Sequence, residues 1–167
     1  MNREYIIISF AWIITIVSLI KFVPKDKIRE AQVAFLFKQI ITWVAGLAVV
    51  ELGLIEYPVR LFFPHANRAS FSFEYFIYPA IGAIFNVNYP KNKSSFGQFM
   101  YYFYYCTTMT VIEVIIERYT DVLTYIHWTW YITWITLFIT FYITRKYYVW
   151  FFKLKQNINE HNPTNAH

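Results

Sequence analysis

The chain reads as an all-α, polytopic integral membrane protein: a five-transmembrane-helix bundle with its N-terminus outside and its C-terminus in the cytoplasm. Three observations predict this. Of its 167 residues, 57% are hydrophobic and only 15% charged, whereas a soluble domain carries about a quarter charged residues. The apolar residues fall into five stretches separated by polar or proline-containing turns. The basic residues between the stretches are sorted by side. Lys21, Lys25, Lys27, Arg29, Lys91, Lys93, Arg145, Lys146, Lys153 and Lys155 gather around the ends of the first, third and fifth stretches, and Arg3, Arg60, Arg68 and Arg118 fall on the other side. Ten against four, with Lys38 left inside a span, puts the larger group in the cytoplasm under the positive-inside rule.

The first span runs from Tyr5 to about Val23, enough to cross the hydrocarbon core at about 1.5 Å per residue. Its charge lies on the wrong flank for a cleaved leader, because Lys21, Lys25 and Lys27 follow the apolar run, so it is expected to be retained. Pro24 stops it. The second span covers about Ala31 to Leu54, and Lys38 within it is expected to snorkel to the cytoplasmic headgroups. Glu56 to Ser72 mixes Pro58, Pro64, His65 and Arg68 with Leu61, Phe62 and Phe63, which predicts a short amphipathic or re-entrant piece in the outer interface.

The third span, about Phe73 to Val87, is short and carries Pro79 and Gly82. A kink is expected there, and the carbonyl that Pro79 frees needs a partner from another helix. A turn at Asn88 to Ser95 leads to the fourth span, about Phe96 to Arg118. The fifth, about Tyr125 to Thr144, opens on the cluster His127-Trp128-Thr129-Trp130-Tyr131, a composition typical of an interfacial belt. Residues 1–155 form one transmembrane helical domain, with spans at about 5–23, 31–54, 73–87, 96–118 and 125–144. The polar, Asn-rich remainder, 156–167, is expected to be a disordered cytoplasmic tail.

The acids are sorted in the opposite sense to the bases. Glu51, Glu56, Glu74, Glu113, Glu117 and Asp121 all fall near the outer ends of spans two to five. A candidate polar cluster there comprises Glu113, Glu117, Glu74, His127, Arg118, Glu51, Arg60 and Arg68. Glu113 and Glu117 share one helix face, which continues inward through Thr110, Cys106 and Tyr102, and Glu113 should point into the bundle because facing lipid is costly. Either these carboxylates pair with arginines and hold helix ends together, or two of them with His127 bind a cation or relay protons. Thr129, Thr133, Thr136, Thr140 and Thr144 recur at helical spacing on the fifth span, the pattern of a helix-packing stripe, with a pore lining as the alternative. No metal site at zinc spacing, phosphate loop or nucleophile elbow is present, and no cofactor is implied. The basic excess sits in short loops beside apolar spans, which points to the lipid bilayer and not to nucleic acid.

The stretch Glu113-Val114-Ile115-Ile116-Glu117-Arg118-Tyr119-Thr120, with Trp128-Thr129-Trp130 and Asn86-Val87-Asn88-Tyr89-Pro90, resembles a family of small, uncharacterised multi-spanning membrane proteins of Bacillus- and Clostridium-type bacteria. That resemblance implies a multi-pass protein of the bacterial cell (plasma) membrane and carries no activity or catalytic residue with it. The leading functional expectation is a non-enzymatic structural or accessory component that meets another membrane protein or a second copy of itself. The alternative is a small transporter or membrane-embedded enzyme that handles a cation, proton or lipid headgroup at the polar cluster.

Overall fold

The computed structural model describes residues 2–65 and 67–161, with side chains over 3–65 and 67–153. Five α-helices hold most of them: α1 (Asn2–Phe22), α2 (Ile28–Glu51), α3 (Tyr78–Val87), α4 (Ser95–Tyr119) and α5 (Trp130–His161). Three stretches, Arg3–Phe22, Lys25–Glu51 and Ser95–Tyr119, are long and apolar enough to cross a membrane. The surface agrees with that chemistry. Ile6, Phe10, Ile13, Val17 and Ile20 of α1 are exposed, Ile20 to 78%, an arrangement that water penalises and lipid does not.

Each helix starts or stops for a local reason. Pro24 ends α1, and Lys25–Lys27 forms one 3-10 turn before α2. At the far end of α2, Leu54 N–H donates to Val49 O and Gly53 N–H to Val50 O, with Gly53 at φ +65°. This is a Schellman cap, whose left-handed position favours glycine. Ser94 caps α4 by accepting from Gly97 N–H at 3.3 Å. At the C-terminus of α3, Asn88 donates to Phe22 O and Ile84 O, and Lys27 Nζ donates to Val87 O at 3.1 Å.

The kink expected in the third span is a change of helix type. Phe71–Ile77 is π-helical and passes directly into α3, with Pro79 in the first turn. Pro79 has no N–H to offer the turn before it, so that turn's carbonyls turn to α2: Thr42 Oγ1 donates to Glu74 O at 2.6 Å and Gln39 Nε2 to Tyr75 O at 2.8 Å. The partner helix that the proline requires is therefore α2.

The stretch before it is neither an amphipathic helix nor a re-entrant one. Ile55–Glu56 (β1) pairs antiparallel with Thr124–Tyr125 (β2), Ile55 opposite Tyr125 and Glu56 opposite Thr124. This ribbon covers the helix ends and buries Ile55, Tyr57, Ala69, Val122 and Leu123 with Ile8, Phe73 and Ile77. The strand also delays α5, which begins at Trp130 and not at Tyr125. At the opposite end the turns 22–28 and 87–95 meet α5 near Tyr148, whose hydroxyl donates to Glu30. The two ends are called below the ribbon end and the basic end. Of the expected tail, residues 162–167 lie outside the described residues, and α5 is described as far as His161.

Candidate functional site between α2, α3, α4 and α5

Two glycines set the α2–α3 seam. A Cβ on Gly46 of α2 would lie 2.6 Å from Glu74 Cγ, and a Cβ on Gly82 of α3 would lie 2.9 Å from Lys38 Cγ. Each helix thus offers a side-chain-free position to the charged residue of the other. Lys38 and Gly46 are eight apart, as are Glu74 and Gly82, so two helical turns separate the paired contacts in this antiparallel register. The expected snorkelling of Lys38 does not occur. Its side chain is fully buried, its ammonium donates to Thr140 Oγ1 at 2.6 Å, and it lies 4.1 Å from the centre of the Phe141 ring. The space over Gly82 leads the lysine across the bundle to α5.

Glu74 leaves the π-helical turn and points inward. Its Oε1 accepts from Tyr57 OH at 2.6 Å. Glu74 lines a cavity of about 100 Å³ with Thr42, Glu113, Thr133, Thr136 and Thr140, and Ala45, Val49, Ile55 and Leu137 make much of its remaining wall apolar; the volume is enough for several waters. Glu113 reaches the same cavity from α4. Its Oε2 accepts from Tyr78 OH at 2.6 Å, and its Oε1 accepts from Tyr125 OH at 2.6 Å and from Thr133 Oγ1 at 2.8 Å. Trp128 Nε1 donates to Thr133 Oγ1 at 2.8 Å. Glu113 is met here by hydroxyls from α3, β2 and α5, not by an arginine.

Burial drives the Tyr57 phenol well above its ordinary pKa, and the charges of Glu74 and Glu113 add to the rise. Tyr125 is raised by burial first and then by Glu113. Both therefore remain O–H donors at any physiological pH.

Of the candidate cluster, Glu74 and Glu113 converge on the cavity, and the rest do not. Glu51, Arg68, Arg118 and His127 are exposed and Glu117 is half-buried. Glu51 and Arg68 line a separate surface recess. Arg60 donates to Tyr57 O and Pro64 O, bracing its own loop. On α5, Thr133, Thr136 and Thr140 line the cavity, Thr144 is fully buried, and Thr129 is half-buried at the helix start. Thr136, Thr140 and Thr144 donate to Thr133 O, Leu137 O and Thr140 O of their own helix. Among the described residues no group of three or more His, Cys, Asp or Glu is placed to hold a metal.

Sequence reasoning missed Tyr57, Tyr78 and Tyr125 and misplaced Lys38. Tyr57 and Tyr125 sit in connections, and only the pairing of β1 with β2 carries them over the cavity. The one available signal was the presence of intramembrane acids with no arginine at helical spacing inside the spans, which leaves hydroxyls as their donors. No protein-family model, curated protein or solved structure matches the chain.

Proposed function

We propose that this is a five-span protein of the bacterial plasma membrane, N-terminus out, and that it acts as a small transporter for a proton or small cation at the cavity between α2, α3, α4 and α5. One observation carries the reading: Glu74, with one carboxylate oxygen that has no protein partner among the described residues, lines a largely apolar cavity together with a second carboxylate, Glu113. A carboxylate at that depth is costly unless it takes up a proton or a cation. Tyr57, Tyr78 and Trp128 beside it supply hydroxyls and ring faces that suit a cation. Alternation of the chain between the ribbon and basic ends supports five crossings, α5 being 32 residues long and the run 71–87 crossing with its π-helical turn.

The structural alternative has its own support, because Glu113 ties three elements together through Tyr78, Tyr125 and Thr133. Proteoliposome flux separates the two. With a pH gradient or an added sodium or methylammonium gradient, the parent should move ions above the level of empty vesicles. Glu74→Gln should abolish this at an unchanged melting temperature, since Tyr57 can still donate to the amide oxygen. No flux in the parent, and no shift of its melting temperature by either cation, would leave only the structural role.

A further inference from the structure

We propose that the groove at the basic end, between the start of α4 and the latter half of α5, binds the phosphate of an anionic phospholipid headgroup, with Arg145 as its central donor. Arg145 is 8% exposed. Its protein partners are the Asn86 carbonyl at 3.4 Å and the ring faces of Tyr89 and Tyr148, 4.1 and 5.1 Å from the guanidinium carbon. A guanidinium has five N–H donors, and among the described residues no carboxylate pairs with this one. A nearly buried cation held only by rings and one carbonyl lacks a counter-anion, and that deficit faces the groove.

The groove itself is about 610 Å³, within the size range of small-molecule sites. Its other charged residues are Lys91, Lys146 and Lys153, all exposed, and no acid lines it. Arginine flanked by lysines is the donor set that phosphate oxygens select. The apolar flank decides between a lipid and a free ion. Val149 and Trp150 line the same groove and are 46% and 56% exposed, so a ligand with a hydrocarbon portion would cover surface that inorganic phosphate leaves bare. This belongs at the headgroup level of the leaflet, where basic and aromatic side chains meet anionic lipid. The site lies at the opposite end of the bundle from the Glu74 cavity and does not depend on transport.

The test is thermal melting of the purified full chain in neutral detergent, with phosphatidylglycerol, phosphatidylcholine or inorganic phosphate added. Phosphatidylglycerol should raise the melting temperature saturably by several degrees, and the other two should not. Combined Lys91→Gln, Lys146→Gln and Lys153→Gln should melt as the parent does without lipid and need at least tenfold more phosphatidylglycerol for the same shift. If that variant fails to fold, Lys146→Gln alone should need about threefold more. Equal shifts from the two lipids, or an unweakened lysine variant, would overturn the site. An equal shift from inorganic phosphate would overturn the lipid and leave a free-anion site.

Discussion

Gly46 and Gly82 let two charged side chains cross the α2–α3 seam, because any larger residue would occupy the path of Glu74 or Lys38. The expected outcome is specific to that geometry. Gly46→Ala should destabilise the fold by about 1–3 kcal/mol through overpacking, and adding Glu74→Ala should recover most of the loss, since the clash is with the Glu74 side chain. Unfolding in mixed micelles measures the cycle, and simple additivity would show that the two positions are not in contact. The inward direction of Glu113 was legible in the sequence, because Tyr102, Cys106 and Thr110 extend its face at helical spacing and all are buried. Lys38 was not legible. Its path depends on Gly82, 44 positions later, and no local period links a lysine to a glycine on another helix.

At the scale of elements, Pro79 gives the π-helical turn before it no N–H, and α2 supplies donors there: Thr42 and Gln39 donate to the Glu74 and Tyr75 carbonyls. Thr42→Val keeps the shape and removes one donor, so it should cost about 0.6–2 kcal/mol, the range for interhelical hydrogen bonds in membranes. A neutral result would mean that water or a re-formed helical bond satisfies Glu74 O. The α5 stripe gives a second contrast. Thr140→Leu removes the acceptor for Lys38 and adds bulk at the cavity, whereas Ile139→Leu alters a residue that is 48% exposed. The first should lower the melting temperature by several degrees and the second hardly at all, and equal effects would remove the distinction between the two faces. The stripe was visible as a spacing of three and four, but its role was not. Seam and cavity lining look alike in one sequence, and here Thr133, Thr136 and Thr140 line the cavity. The ribbon was invisible because two-residue strands leave no period.

For the whole molecule, the sorting of charge becomes a property of the two ends. The turns at 22–28 and 87–95 and the α5 residues 145–153 meet at one end, and the ribbon and the N-terminal turn of α1 meet at the other, where Arg3 donates to Tyr119 O. Charge bias along the chain and helix direction in space therefore agree, and the proposed orientation is the one the positive-inside rule assigns to that arrangement. The sole cysteine, Cys106, is fully buried among Phe85, Tyr102 and Phe141, so the native chain supplies a silent background for thiol labelling. Single cysteines introduced as His65→Cys and Lys91→Cys, both at exposed positions, report the two ends directly. A membrane-impermeant maleimide applied to intact cells should label His65→Cys and should reach Lys91→Cys only after permeabilisation. The reverse pattern would invert the orientation and place the Glu74 cavity nearer the cytoplasm, with the Arg145 groove on the external leaflet. Labelling of both from outside would mean that the chain does not cross between residues 65 and 91, and would remove the third span from the bundle.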